Sequence, residues 1–325
     1  MRRHAASFTP NSIIRPDAIR INAGRKMPQN ILGVIGGSGF YQMKGLDKVE
    51  LMELETPFGR PSDPFYQGRI GGIEVVFLAR HGRGHRLLPS EINFRANVFG
   101  MKQLGVTHLV SVSTAGSLKE EIHPGELVVP DQFIDRTIKR PMTFFGDGLV
   151  AHVSMADPVC ANLAGDLATA ARAGGAVVHG SGTYLCMEGP QFSTRAESNL
   201  FRSFGASVIS MTAMQEARLA REAEMCYAAL VLVTDYDCWH DTAAAVDIGE
   251  ILRVMKLNVD KAQNAVSALA HALGNRARTC RCQDALKNTI ITDREAIPQR
   301  LIDDLRPLVG KYLQDHRNPG ALKVQ

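Results

Sequence analysis

Two aspartates follow a long apolar segment in a pattern that suits recognition of a nitrogen heterocycle. Residues 225–233 read Met-Cys-Tyr-Ala-Ala-Leu-Val-Leu-Val, which predicts a strand buried on both faces. Asp235 and Asp237 come directly after it, where a carboxylate must be hydrogen-bonded or protonated. If the strand continues, both side chains face the same way and can meet one ligand. Adenine, with a ring nitrogen beside an exocyclic amine, fits such a pair; two solvated aspartates opening a loop are the alternative.

Basic and hydroxyl side chains follow three other predicted strands. The first strand leads into Gly-Gly-Ser-Gly, whose amides and Ser38 hydroxyl can hold an anion, although a tight turn explains the motif equally well. Arg80 and His81 end a second strand, and a guanidinium can donate two parallel hydrogen bonds to phosphate, although a lone Arg is usually a surface salt-bridge partner. Ser113 and Thr114 end a third strand. If these three ends meet, they would surround one inorganic phosphate.

Two further segments suit a sugar and a base. The string Glu-Gly-Pro-Gln-Phe-Ser at residues 188–193 includes Phe192, which can stack on a flat heterocycle, although Phe more often packs in a core. Met211 and Thr212 follow a short apolar strand and offer a soft surface and a hydroxyl. Each element is ambiguous alone, but all of them fall after strands, which favours one shared binding site.

These side chains must be positioned by strands that alternate with helices. Helical patterns occur at residues 90–104, 157–172, 194–204, 215–222, 248–271 and 302–313. Ser90 is a plausible N-cap for the first of them. The alternation predicts an α/β fold with a mixed, mainly parallel central sheet flanked by helices. Without a Pro/Gly/Ser linker, we expect one domain over residues 27–275 and a C-terminal tail with a helix over 276–325.

Composition and charge exclude several classes of protein. The chain has 325 residues, of which 45% are hydrophobic and 22% charged, and no apolar run approaches a membrane span. The formal charge of +4 is concentrated before Met27, which leaves the rest nearly neutral and gives no reason to expect nucleic-acid binding. For residues 1–26 we favour a disordered leader or a misassigned start over a transit peptide, which their Arg-rich composition also resembles. A cytoplasmic protein is expected.

The six cysteines lack the density of a secreted disulfide scaffold, so most are expected to be reduced and buried. Cys280 and Cys282 form a close pair that can be redox-active or bind metal. One such pair gives too few ligands for a zinc site, and no partner pair is evident. Two surface thiols, and no metal, are therefore the expectation.

Five strings in order resemble the 5′-methylthioadenosine phosphorylases, which belong to the trimeric purine nucleoside phosphorylases. They are Gly-Gly-Ser-Gly at 36–39, Leu-Ala-Arg-His-Gly-Arg at 78–83, Glu-Gly-Pro-Gln-Phe-Ser at 188–193, Ser-Met-Thr at 210–212 and Thr-Asp-Tyr-Asp-Cys-Trp at 234–239. The match covers roughly residues 30–271, and the combination is specific although each motif alone is weak. One departure is Ser-Thr-Ala at 113–115, where animal members carry Thr-Ala-Cys.

The resemblance implies a role for each matched residue. The phosphate ligands implied are Ser38, Arg80, His81, Ser113 or Thr114, and Thr212, with Ser193 beside them. Met211 would lie near the ribose and Phe192 near the base. Asp235 would face the imidazole nitrogen of the purine as a general acid kept protonated by burial, and Asp237 would face the six-position amine. His152 would enter the 5′ pocket from the neighbouring subunit of a homotrimer.

The implied reaction is phosphorolysis of 5′-deoxy-5′-methylthioadenosine to adenine and 5-methylthioribose 1-phosphate, in purine and methionine salvage. Inorganic phosphate is then a co-substrate, and no metal or organic cofactor is needed. A phosphorylase for 6-oxopurine nucleosides (methylthioinosine, inosine or guanosine) is disfavoured by the two aspartates, and a hydrolase by the phosphate ligands. From other classes, the glycine spacing argues against a dinucleotide-binding oxidoreductase. A non-catalytic nucleoside sensor would not need an acid at Asp235.

Overall fold

A computed structural model of the chain describes residues 30–37, 45–240, 248–274 and 276–313. Ser38 and the leader therefore lie outside the described residues. The strands are β1 (Ile31–Gly36), β2 (Asp47–Met52), β3 (Phe65–Ile70), β4 (Ile73–Ala79), β5 (His108–Ser117), β6 (Leu127–Val128), β7 (Gln132–Arg136), β8 (Val178–His179), β9 (Thr183–Met187), β10 (Val208–Ser210) and β11 (Cys226–Asp235). All of them join in one sheet.

The centre of the sheet is β5, which pairs in parallel with β1 on one side and with β11 on the other. β4 extends this parallel block beyond β1. Every residue of β1 is buried, as are all but the last of β11, because helices cover both faces of the sheet. This burial explains why both segments are apolar throughout rather than alternating.

β5 is longer than the sequence predicted, and its last residues make the sheet mixed. Gly116 and Ser117 pair antiparallel with β10. β10 in turn pairs in parallel with β9, and β9 with β7. At one side of the sheet, the edge strand β2 is antiparallel to β3, and β3 is antiparallel to β4. The predicted α/β fold, with a mixed and mainly parallel sheet flanked by helices, is thus confirmed.

The helices are α1 (Phe94–Gln103), α2 (Ala161–Ala173), α3 (Arg195–Ser203), α4 (Ala213–Glu222), α5 (Ile248–Leu273), α6 (Gln299–Asp304) and α7 (Arg306–Leu313). The N-cap predicted at Ser90 is wrong. α1 begins later, because the Asn93 side chain accepts a hydrogen bond from the Ala96 amide, 3.1 Å away, whereas the Ser90 hydroxyl donates to Glu188.

The C-terminal segment belongs to the main core. Leu286, Leu305 and Val309 are each at most 3% exposed and pack in the same cluster as the central strands. The expectation of two surface thiols is also wrong, since Cys282 is buried and Cys280 is half-buried. Among the described residues, no helix is long and apolar enough to cross a membrane.

Candidate active site

A cleft of about 380 Å³ opens where β4, β5, β10 and β11 end. Its volume falls within the range typical of small-molecule sites. The structure brings nine of the predicted site residues to its walls: Arg80, His81, Ser113, Thr114, Phe192, Met211, Thr212, Asp235 and Asp237. The parallel strands β4, β5 and β11 explain most of this convergence, because their carboxyl ends reach the same edge of the sheet. β10 runs antiparallel to the end of β5 and brings Met211 and Thr212 beside it.

Arg80 is held rigidly at the floor of the cleft. Its side chain is only 1% exposed, and its Nε and Nη2 donate to the two carboxylate oxygens of Glu216 at 2.5 and 3.0 Å. Further N–H groups donate to the Val112 and Ile35 carbonyls and to the Ser111 hydroxyl. Glu216 therefore both neutralises Arg80 and fixes the plane of its guanidinium.

His81 stands beside Arg80 in a fixed orientation. Its Nδ1 lies 2.9 Å from the carbonyl oxygen of Leu87, and a carbonyl only accepts, so Nδ1 carries the proton. Burial and the neighbouring Arg80 charge lower the pKa of His81 to about 4. The imidazole is consequently neutral near pH 7, and Nε2 is left as an acceptor. Such a nitrogen can accept the P–OH proton of a hydrogen phosphate.

Two hydroxyls complete this end of the cleft. Ser113 Oγ is buried, lines the cleft and has no hydrogen-bond partner of normal geometry among the described residues. Thr212 is 4% exposed and is the N-cap residue of α4, where helix amides begin. A buried hydroxyl without a partner is costly unless a ligand satisfies it. Together with Arg80 and His81, these groups suit a small oxyanion.

The two aspartates meet farther along the cleft, beside Gly116 of β5 rather than beside Ser113. Strand alternation, which the sequence predicted, is not what brings them together. β11 ends at Asp235, and Asp237 adopts a positive φ of 54°. The Asp237 amide donates to Asp235 Oδ1 at 2.8 Å, and the Thr234 hydroxyl donates to Asp235 Oδ2 at 2.7 Å. A tight turn therefore places both carboxyls on the cleft. Gly116 of β5 allows it, since an added Cβ would lie 2.9 Å from Asp235 Oδ1.

The two carboxyls differ in environment. Asp237 is 5% exposed, and its Oδ2 has no hydrogen-bond partner among the described residues. Burial, with the Asp235 charge as a lesser cause, raises the pKa of Asp237. The sequence predicted that burial would protonate Asp235. In the structure Asp237 is the more buried acid, and Asp235 accepts two hydrogen bonds. The pair thus holds a proton more readily than two solvated aspartates would.

Phe192 and Met211 form the wall between the two ends. Phe192 is 53% exposed, so one face of its ring is available to a flat ligand. Arg140, which the sequence gave no reason to single out, is buried and donates both to the Met211 carbonyl and to Glu188. Burial opposes the charge of Glu188, but hydrogen bonds from Ser90 and backbone amides hold its pKa at about 2. Glu188 therefore anchors the loop that carries Phe192.

The other predicted site residues lie elsewhere. Ser193, expected beside the phosphate ligands, instead has its hydroxyl 3.8 Å from the Met187 sulfur and near the Asp237 carboxyl, because its loop turns towards α3. His152 is exposed and does not line this cleft, and its amide donates to the Thr289 carbonyl. Ser38 lies outside the described residues, although the preceding Gly37 does line the cleft.

Met255 and Val259, one helical turn apart on α5, were also missed and give the cleft an apolar wall. The sequence assigned them only to a helical pattern. Their spacing of four residues places them on one face of α5, and this spacing could have indicated from the sequence that they share an apolar surface. Glu216 gave no such signal, since a charged residue on a helix is normally assigned to solvent.

Comparison with known proteins agrees with this geometry. The Phosphorylase superfamily model matches residues 31–271. An S-methyl-5′-thioadenosine phosphorylase from Geobacter sulfurreducens is 55% identical over 286 residues, which are 88% of this chain and 100% of the relative. One from Koribacter versatilis is 52% identical over 88% of this chain and 98% of the relative.

Solved structures give the same result. A methylthioadenosine phosphorylase from an Antarctic soil metagenomic library superimposes with a TM-score of 0.82 at 44% identity, over 86% of this chain and 99% of the other. The methylthioadenosine phosphorylase from Schistosoma mansoni in complex with adenine superimposes with a TM-score of 0.76 at 35% identity, over 79% of this chain and 96% of the other. The chain belongs to the phosphorylase superfamily and, within it, to the S-methyl-5′-thioadenosine phosphorylases.

Proposed function

We propose that this protein cleaves 5′-deoxy-5′-methylthioadenosine with inorganic phosphate, giving adenine and 5-methylthioribose 1-phosphate, in cytoplasmic purine and methionine salvage. One observation carries the proposal: a single cleft holds an oxyanion group at one end and an aspartate pair at the other. The oxyanion group comprises Arg80, His81, Ser113 and Thr212, with Thr114 adjacent. A nucleoside lying between the two ends would present its anomeric carbon to phosphate and its base to Asp235 and Asp237.

The residue types suit the charges that develop. Departure of adenine builds positive charge on the sugar and negative charge on the base, and a bound phosphate stabilises the first while attacking the anomeric carbon. A proton from the aspartate pair neutralises the negative charge on the base. The unliganded pair holds its proton on Asp237. As the base departs, we assign to Asp235 the transfer of this proton to the imidazole nitrogen of the purine, and to Asp237 the role of acceptor for the amine. The raised pKa of Asp237 supports a shared proton in the pair.

The apolar wall supports the choice of the 5′ substituent. Met255 and Val259 line the cleft, and a methylthio group gains from such surroundings whereas a hydroxyl leaves its polar atom unpaired. We further propose a homotrimer in which His152 enters the cleft of a neighbouring subunit. Its exposure in the single chain is what such a role requires.

The direct test is release of adenine from methylthioadenosine with and without inorganic phosphate, with identification of the sugar product. Release only with phosphate, yielding the sugar 1-phosphate, is the expected result. Release without phosphate would make the protein a hydrolase, and turnover of inosine in place of methylthioadenosine would make it a 6-oxopurine phosphorylase.

A variant separates the roles of the two ends. Asp235→Asn is expected to lower kcat by about 10²–10⁴, the range typical of general acid catalysis, with little change in KM for phosphate. Asp157→Asn, the same change at an exposed aspartate, is the matched control. Equal losses in turnover and phosphate affinity would assign Asp235 a structural role.

A further inference from the structure

Four cysteines that are far apart in sequence meet at the end of β11 opposite the cleft. The Sγ atoms of Cys160, Cys226, Cys280 and Cys282 all lie within 4.8 Å of one another. Cys226 is the first residue of β11, whereas Asp235 is its last. At about 3.3 Å per residue, the strand separates the two by about 30 Å, so the cluster takes no part in the cleft.

Each cysteine is placed by a different part of the fold. Cys160 is the N-cap residue of α2, and its amide donates to the Tyr227 carbonyl at 2.8 Å. Cys280 and Cys282 flank Arg281 at the start of a short 3₁₀ turn, Arg281–Asp284, in the C-terminal segment. Three of the four are at most 5% exposed. The partner pair that the sequence did not reveal is therefore Cys160 and Cys226.

The spacing of the sulfurs suits a shared metal ion. In a tetrahedral site with Zn–S bonds of about 2.3 Å, neighbouring sulfurs are about 3.8 Å apart. Cys226 Sγ and Cys280 Sγ are 3.3 Å apart, and all four thiols are free, with no disulfide among them. Among the residues that the structure describes, the cluster holds four cysteines and no carboxylate or imidazole, and four thiolates are the donor set of a closed, structural zinc site.

A guanidinium beside the cluster favours thiolates. Arg221 Nη1 lies 3.8 Å from Cys282 Sγ and is oriented to donate to it. A four-thiolate zinc centre carries two negative charges, which a guanidinium contact to sulfur partly offsets.

We propose that Cys160, Cys226, Cys280 and Cys282 bind one Zn²⁺, which ties the C-terminal segment to the amino-terminal end of β11. Binding releases the four thiol protons and forms four Zn–S bonds, with no change in oxidation state. The C-terminal segment supplies two of the ligands, and it also contributes Leu286, Leu305 and Val309 to the core. The metal would thus stabilise the fold without entering the reaction.

The test begins with the full chain purified under reducing conditions from zinc-supplemented cells. Elemental analysis is expected to give about one zinc per chain, and X-ray absorption four sulfur neighbours at about 2.3 Å. The double variant Cys280→Ser/Cys282→Ser is expected to lose the metal. Cys238→Ser, at a half-buried cysteine outside the cluster, is expected to retain it.

A second measurement uses the wild-type chain, so its result does not depend on whether a variant folds. The wild-type chain, freed of metal and kept reduced, should bind Co²⁺ with the visible bands and thiolate charge-transfer absorption of a tetrahedral sulfur site. Wild-type protein that binds neither Zn²⁺ nor Co²⁺, zinc retained by the double variant, or iron in place of zinc would overturn the proposal. So would disulfide-linked peptides from the four cysteines in protein isolated without reductant.

Discussion

Arg80 and Glu216 form a two-point ion pair beneath the cleft, with each side chain only 1% exposed. The carboxylate comes from α4 and the guanidinium from the end of β4, so the pair joins a helix to the sheet at the site itself. The geometry means that Arg80 is already oriented before any phosphate arrives. Preorganised cations of this kind lose little free energy to reorientation during a reaction.

Removing Glu216 should therefore leave a buried, unpaired charge. Glu216→Ala is expected to lower the free energy of unfolding by about 3–5 kcal/mol, measured by chemical denaturation. The control is Glu55→Ala, which breaks an exposed pair with Arg60, 3.4 Å away, and should cost less than about 1 kcal/mol. Similar losses in the free energy of unfolding for the two variants would show that burial does not make the Arg80–Glu216 pair more costly to break than an exposed pair.

Asp237 should lower the stability of the folded protein at neutral pH while being needed for turnover. Its folded pKa lies above the ordinary value of 3.8, so the folded state loses stability as pH rises between the two values. Asp237→Asn removes this penalty and is expected to raise the melting temperature at pH 7, but not near pH 4, while turnover falls. Thermal unfolding at both pH values measures this difference. Asp157→Asn, at an exposed position, should show no such pH dependence; a destabilised Asp237→Asn at pH 7 would contradict the argument.

Gly116 is the residue that lets β5 and the aspartate turn approach closely. An added Cβ would lie 3.2 Å from the Asp237 amide nitrogen and closer still to Asp235. Gly116→Ala should therefore displace both carboxyls and lower kcat by at least about tenfold, since small displacements of catalytic groups are costly. Gly165→Ala in α2 is the control, because its Cβ would meet nothing within 4 Å. Steady-state kinetics measure kcat for the two variants. Equal kcat values would show that the aspartate turn can shift without loss of activity.

The sequence predicted the fold class and many of the residues that line the cleft, because both depend on local patterns. Apolar runs ending in polar side chains locate the strands of a parallel sheet and their carboxyl ends, as at Arg80 and Asp235, whereas β5 continues beyond Ser113 to Ser117. The N-cap was misplaced because Ser90 and Asn93 are both good cap formers, and only the contact between Ser90 and Glu188 decides between them.

What the sequence did not predict depends on contacts between distant residues. Glu216 is separated from Arg80 by 136 residues, and no local signal shows that this helical carboxylate faces inward. The same holds for Cys160 and Cys226, whose approach to Cys282 requires the chain path to be known. The strand was expected to end at Val233, but a register shift between Val233 and Asp235 lets the pairing with β5 continue to Gly116.

Glu222, at the end of α4, should make the stability of the whole chain sensitive to pH near neutrality. Burial raises its pKa to about 7, even though its carboxylate accepts a hydrogen bond from the Phe144 amide at 2.8 Å. Because the folded state then binds a proton that the unfolded state has lost, stability falls as pH rises from about 4.5 through about 7. Above about pH 7, this difference in pKa lowers the free energy of unfolding by roughly 3 kcal/mol.

Glu222→Gln keeps an acceptor for the Phe144 amide but cannot ionise. It is expected to match the wild type at pH 5 and to exceed its free energy of unfolding at pH 8.5, as measured by urea denaturation at each pH. Glu121→Gln makes the same change at an exposed position, so its effect should be independent of pH. If Glu222→Gln instead lowers stability equally at both pH values, the carboxylate is ionised throughout and its hydrogen bond to Phe144 outweighs the cost of burial.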